Sequence, residues 1–468
     1  MEKKLILCVP ALLAQLASAQ DRPKNVVLIM VDDLRPTLGC MGDSWAMTPN
    51  VDALASESVT CRRAYCQQAL SGPTRASMLT GLYPDQTGVT ELNTPMRAKN
   101  RDIVTLPQVF RDNGYVTCGI GKIFHGDVNS TDSLSWSMPP VLYHYTKDDE
   151  YLLPEHRTGK KSVAYEFTQD DPEGYLDVRI RDAALSRIRD LKTDGRPFFL
   201  AVGFLKPHLP FCAPQKYWDM YDGVFKDGID TSRVIGAPQV AYHDSQELRG
   251  YTDIPAIGPI SMEQQLSLRR AYYACASYTD DNVGAVIDEL KRQGLYDDCV
   301  IVFVGDHGFH LGEQGMWCKS TNYHPACNAP LIIHDAGQTE GTVKKEFVEF
   351  VDIMPTVCSL CGIEPPTGLP GRDVFHGRGR RCAVSQFVRP YATITKPGLK
   401  THTGYVIRTD AWTYVEWVSI GGDVTDRELY HTRRDPLEKV NLAEKPIFRR
   451  KMGSLSRLMH RVYEDAIS

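Results

Sequence analysis

Four stretches of the chain share one pattern, a continuous apolar run that flows directly into polar residues. They are NVVLIMVDD (25–33), GYVTCGIGKIFH (114–125), RPFFLAVGFLKPH (196–208) and CVIVFVGDHG (299–308). The first half of each predicts a strand buried on both faces, as in a parallel sheet covered by helices. Between the runs the apolar period changes. Ile180, Ala184, Ile188 and Leu191 keep one face apolar, and so do Val283, Val286, Ile287 and Leu290, with Gly294 as a stop. Strands alternating with helices define an α/β domain. Open parallel sheets bind ligands beyond the carboxyl ends of their strands. The polar residues after each run, from Asp32 to His307, are therefore expected to meet along one edge.

The stretch from Asp127 to Pro172 is rich in Ser, Pro, Tyr and charge and reads as loops over that edge. After about residue 375 the texture changes. CAVSQFV, GYVIRTD and WTYVEWV are β-rich, and a last helix is expected over roughly 446–463. The expected fold is a large, mostly parallel sheet flanked by helices. A smaller C-terminal antiparallel sheet with one helix would follow it. The corresponding divisions are 20–375 for the main domain and 376–468 for the subdomain.

Composition narrows the class. The net charge is −5 and the basic residues are dispersed, so no footprint for nucleic acid stands out. The N-terminus, MEKKLILCVPALLAQLASAQ, has two lysines, a short apolar run and an A-x-A end. It predicts a signal peptide over 1–19, cleaved after Ala19, and an exported, periplasmic or secreted chain. No later run is long and apolar enough to predict a membrane span. Without Cys8, twelve cysteines remain, and several lie in apolar runs as small buried hydrophobes. Cys358 and Cys361 form a C-x-x-C without the second pair that a zinc site needs.

Candidate chemistry lies at the run ends and in one further stretch. In SGPTRASMLTG, Ser71 stands at the start of a short expected helix, where backbone N–H groups favour an anion. Arg75 follows four residues on, and Gly81 and Pro84 close the helix. Taken alone, a capping serine and a surface arginine explain this as well. Asp32 and Asp33 repel each other at a buried strand end unless a cation compensates. With Asp306 and His307 they make an oxygen-rich set suited to Ca²⁺ or Mg²⁺. Lys122 and His125, Lys206 and His208, and Lys319 in EQGMWCKS suggest a cationic, anion-binding pocket beside it. His310 has no helical partner face with His307 and takes no role.

These motifs, in this order and with the late ELYHTRRDPLEKVNL, resemble the sulfatase family of the alkaline phosphatase superfamily, in its iduronate-2-sulfatase branch. The resemblance covers nearly the whole mature chain and implies an alkaline-phosphatase-like fold. It implies that Ser71 is oxidised to formylglycine, and that one Ca²⁺ is held by Asp32, Asp33, Asp306, His307 and the modified Ser71. It implies that Arg75, Lys122 and Lys319 hold the sulfate, with Lys206 adding charge. His208 would protonate the departing sugar oxygen, and His125 would take the proton that releases sulfate. The substrate implied is the 2-O-sulfate of a uronic acid in heparan-, heparin- or chondroitin-derived oligosaccharides. Serine at position 71 implies a serine-type sulfatase-maturing enzyme as a partner. The alternatives are a sulfatase for another ring position, a phosphomonoesterase or phosphodiesterase using unmodified Ser71, and a sulfated-glycan-binding protein without catalysis.

Overall fold

The apolar runs become adjacent strands. In the computed structural model, which describes residues 23–169 and 174–467, the main sheet contains β1 (Asn25–Val31), β2 (Val59–Cys61), β3 (Val116–Gly121), β4 (Phe198–Phe204), β5 (Cys299–Gly305), β6 (Leu331–His334) and β7 (Thr342–Lys344). Their order is β7-β2-β6-β5-β1-β4-β3, and β6 alone runs against the others. Every residue of β1 is buried, which explains its unbroken apolar run from Val26 to Val31.

Its side chains alternate between two cores. Val26, Leu28 and Met30 share one with Ala76, Met78 and Leu79 of α1 (Ser71–Thr80). Val27, Ile29 and Val31 share the other with Ile180, Ala184 and Ile188 of α2 (Leu176–Asp194) and with Val283, Val286 and Leu290 of α3 (Met262–Arg292). The helix that begins at Ser71 therefore covers one face and the two long helices the other. Each fully buried aliphatic side chain contributes about 1.5–3 kcal/mol.

Register places the site. Val31 lies opposite Phe204 and Gly305, and Gly121 lies opposite Gly203, so four strands end within a residue of one another. The ladder runs one step past the strands: the Asp32 amide donates to Phe204 O (3.1 Å), the Asp306 amide to Val31 O (3.0 Å) and the Lys122 amide to Gly203 O (3.0 Å). Gly203 is required there, because a Cβ would lie 2.1 Å from the Lys122 carbonyl oxygen.

The C-terminal sheet is antiparallel, with β8 (Cys382–Arg389), β9 (His402–Thr409), β10 (Thr413–Ser419) and β11 (Val424–Tyr430) in sequential order. α4 (Arg449–Ile467) covers it through Leu455, Met459 and Tyr463. Strand β11, absent from the sequence expectation, carries four consecutive polar residues, Thr425 to Glu428, and its first half is partly or fully exposed. β8 backs the loop before Ser71: Ser385 Oγ donates to Cys66 O (2.6 Å) and the Gln386 amide to Gln67 O (2.7 Å). Among the described residues all twelve cysteines are free, and Cys358 is fully buried, as a core hydrophobe would be. No helix among the described residues is long and apolar enough to cross a membrane. The expected signal peptide, 1–19, lies outside the described residues.

Candidate active site

Ser71 opens α1 behind an extended Leu70, and its hydroxyl makes no capping bond. Instead its Oγ donates to Asp32 Oδ1 (3.1 Å) and lies 3.3 Å from His307 Nε2. The capping alternative is thereby excluded. Gly72 lets the start of the helix pack against the backbone at 91–92, since a Cβ would meet the carbonyl oxygens of Glu91 and Leu92 at 2.7 Å. Thr74 Oγ1 donates to Asp306 O (2.6 Å) and ties the helix to the end of β5.

The acidic residues form one cluster. Asp32, Asp33, Asp306 and His307 are wholly buried. The Asp33 and His307 amides both donate to Asp306 Oδ1, at 2.9 and 3.0 Å. His307 Nε2 lies 3.4 Å from Asp33 Oδ1 and 3.7 Å from Asp306 Oδ1. Asp33 adopts a left-handed backbone (φ 59°), the kind of conformation that persists only when its surroundings hold it. The hold comes from α3, where Tyr272 OH donates to Asp33 O (2.6 Å) and accepts from the Arg35 amide (2.9 Å).

This cluster fits a divalent cation. Three buried carboxylates and an imidazole converge, and Asp33 Oδ1 has no hydrogen-bond partner although it is fully buried. A buried, unpartnered carboxylate oxygen is costly unless a cation takes it. Among the described residues two groupings of possible ligands occur, Asp33–Asp306–His307 and Asp32–Asp33–His208, and both include Asp33. They describe a single centre.

Cations ring the cluster, but not as the sequence suggests. Lys122 Nζ pairs with Asp32 Oδ2. Lys319 Nζ lies 2.8 Å from Asp33 Oδ2, between residues Cys318 and Ser320 that both have positive φ. His208 Nε2 lies 3.8 Å from Asp33 Oδ2. Arg75 departs from its expected role as a sulfate clamp. It is wholly buried, and its guanidinium donates to Asp306 Oδ2 (2.9 Å), Asp32 Oδ1 (3.0 Å) and the carbonyls of Lys122 and Ile123. It braces the carboxylates. Lys206 departs as well: its Nζ donates to the His208 and Pro210 carbonyls (3.1 and 2.6 Å), so it stiffens its own loop.

Electrostatics follow from this arrangement. Burial opposes ionisation of Asp32, but Lys122 and Arg75 outweigh it and hold the carboxyl well below its usual range. Burial raises Asp306, against the pull of His307 and Arg75. Burial disfavours the Lys319 ammonium, yet Asp33 and Glu247 hold it charged. Burial and the neighbouring Lys122 push His125 down to about 3, so its imidazole is neutral, and its Nδ1 is buried without a partner.

Glu247 and Tyr272 complete the site and have no signal in the sequence. Glu247 Oε1 lies 2.6 Å from Lys319 Nζ and 3.2 Å from His208 Nε2. It follows no strand, and its stretch reads as an ordinary charged loop. His243, in the same loop, fastens to the Lys319 carbonyl (2.7 Å).

Buried neutral histidines also set an acid limit. Burial, reinforced by Arg389, pushes His243 down to about 3, and burial pushes His310 down to about 4, from 6.5. An unfolded chain takes up these protons from pH 6.5 downward, whereas the fold refuses them until about 4 and 3. Their contribution is complete above 6.5 and is lost as pH falls through that window. By pH 5.5 the loss is about 1.4 kcal/mol for each histidine. Thermal denaturation between pH 7.5 and 5 measures it, and His243→Gln is expected to flatten the slope.

A buried hydroxyl inside a carboxylate–imidazole centre, at the carboxyl edge of this sheet and ringed by lysines, is the arrangement of a metal-assisted ester hydrolase. Residues 24–363 match the family model described as Sulfatase, and residues 312–465 match N-sulphoglucosamine sulphohydrolase, C-terminal. The chain belongs to the sulfatase family, whose members hydrolyse sulfate esters and generally use formylglycine and a divalent metal. It is similar to iduronate 2-sulfatase of Homo sapiens, with 33% identity over 89% of this chain and 90% of that one. Among solved structures, the phosphonate monoester hydrolase of Agrobacterium radiobacter superposes with a TM-score of 0.76 at 24% identity, covering 95% of this chain and 96% of that one. A structure in complex with its substrate D-glucosamine-2-N,6-O-disulfate superposes with a TM-score of 0.73 at 21% identity, covering 95% and 98%. Both share the alkaline-phosphatase-like fold expected from the sequence.

Proposed function

We propose that the protein removes the 2-O-sulfate from a uronic acid of glycosaminoglycan-derived oligosaccharides, with residue 71 as formylglycine and one Ca²⁺ at the acidic cluster. The observation that carries this reading is the position of Ser71 Oγ, within 3.3 Å of both Asp32 and His307 and facing a centre that includes Lys122 and Lys319. The 2-O-uronate position rests on the similarity to iduronate 2-sulfatase. An exported chain and a serine-type maturing enzyme belong to the same reading.

Asp32, Asp33, Asp306, His307 and residue 71 would hold the cation, whose charge would offset the negative charge that develops on the sulfuryl oxygens. Oxidation of Ser71 would supply a hydrated aldehyde, with one hydroxyl to attack sulfur and a second to be deprotonated for sulfate release. Lys122 and Lys319 each carry three donors. Lys122 gives one to Asp32, and Lys319 gives two to Asp33 and Glu247, so both retain N–H groups for sulfate oxygens. His208 Nδ1 faces the Leu209 carbonyl (2.5 Å), which leaves Nε2 to hand a proton to the departing sugar oxygen. His125, held neutral, accepts the proton of the second hydroxyl through a ring nitrogen. Arg75 acts through Asp32 and Asp306, and Lys206 through its loop.

Mass spectrometry of the peptide AYCQQALSGPTR, together with assays on defined sulfated disaccharides, tests the proposal. Residue 71 is expected to have lost two hydrogens relative to serine, and 2-O-sulfated uronate is expected to be the preferred ester. Release from another ring position, with none from the 2-O position, would overturn the substrate. Phosphate release by a protein with unmodified serine would overturn the mechanism.

A further inference from the structure

A carboxylate from outside the sheet reaches the cationic side of the site. Glu247 lies on a short helical turn, Gln246–Arg249, and its side chain is only 15% exposed. The loop that delivers it is fastened at several points. Ser245 has a left-handed backbone (φ 58°), its amide donates to His243 Nδ1 (3.0 Å), and its Oγ accepts from the Trp317 amide (3.0 Å). With Nδ1 accepting, His243 must carry its proton on Nε2, which donates to the Lys319 carbonyl (2.7 Å). Lys161 Nζ donates to the Glu247 carbonyl (2.7 Å). The same loop therefore grips both the main chain and the ammonium of Lys319.

Without Glu247, each cation loses its shorter carboxylate contact on the substrate side. Lys319 Nζ would retain only Asp33 among its charged partners, and His208 Nε2 would retain only the longer approach to Asp33 Oδ2 (3.8 Å). We propose that Glu247 is a positioning residue, fixing the spacing of His208 Nε2 and Lys319 Nζ where the ester oxygen and the sulfate meet them. The inference rests on His208 being the proton donor. The Nε2 proton is shared between Glu247 Oε1 and the ester oxygen until the S–O bond breaks. It then passes to that oxygen, leaving neutral His208 and an unchanged Glu247 carboxylate.

The test compares matured, metal-loaded wild type with Glu247→Gln, Glu247→Asp and His208→Ala on two substrates. One is a 2-O-sulfated uronate disaccharide, whose alkoxide needs a proton to leave. The other is 4-nitrophenyl sulfate, whose phenolate does not. Glu247→Gln is expected to lower kcat on the disaccharide by about 10- to 100-fold with little change in KM. It is expected to cost the aryl sulfate much less, since there only the hold on Lys319 is lost, and Glu247→Asp is expected to recover part of the loss on the disaccharide. Equal losses on both substrates, or no loss on either, would overturn the inference. If His208→Ala also shows equal losses, the assignment of His208 as acid fails. If His208→Ala shows the leaving-group pattern and neither Glu247 variant does, only the role of Glu247 fails.

Discussion

Ser71→Ala is expected to abolish sulfate release, lowering kcat by at least about 10⁴-fold, while the protein still folds. The reason lies in what the hydroxyl touches. Its contacts are the side chains of Asp32 and His307, and it makes no bond to the helix that carries it. Removing it deletes the oxygen poised in the centre and leaves α1 intact, because that helix begins behind an extended Leu70 and is tied down by Thr74. The loss in stability should stay near the 0.5–1.5 kcal/mol typical of one hydrogen bond, so Tm should move little. Steady-state assays with a 2-O-sulfated disaccharide, beside a thermal melt, measure both. A variant that keeps most of its activity would mean that another group attacks sulfur.

The sheet was legible because four strands are buried on both faces, which leaves an uninterrupted apolar run such as Val26–Val31. Their tips could be placed on one edge for the same reason. The short members were not legible: Val59–Cys61 and Leu331–His334 have three and four residues, too few to show a period. Nor does a periodic pattern reveal that Leu331–His334 runs antiparallel. At the site, residue type and position were readable, but partners were not. The spacing of Ser71 and Arg75 places them on a similar helix face, yet only packing against the sheet edge commits the guanidinium to Asp32 and Asp306. Lys206 follows a strand just as Lys122 does, but its loop turns the ammonium back onto its own carbonyls. Glu247 arrives from a loop with no preceding strand, and a carboxylate beside two cations in space leaves no mark in the chain order.

Arg75→Met is expected to be the most destabilising of the site substitutions, at about 3–5 kcal/mol, because it breaks a buried ion pair and leaves the carboxylates uncompensated. Methionine keeps much of the side chain's length and removes the charge. Asp32, now held well below its usual range with Arg75 contributing, should rise, and Asp306, already raised by burial, should rise further. The sign of the pH effect follows. A carboxyl whose folded pKa lies above its unfolded 3.8 binds protons more readily in the fold, so the fold gains stability on acidification down to that value. The gap in Tm between variant and wild type, measured in chelator, should therefore be widest near neutral pH and narrow as pH is lowered from 7.5 toward 5. Added divalent cation should raise Tm more in the variant than in wild type if its charge replaces part of what the guanidinium supplied. An exposed sulfate clamp would behave differently, with wild-type stability at every pH and a raised KM. That outcome would return Arg75 to the substrate and require the guanidinium to leave both carboxylates when sulfate enters.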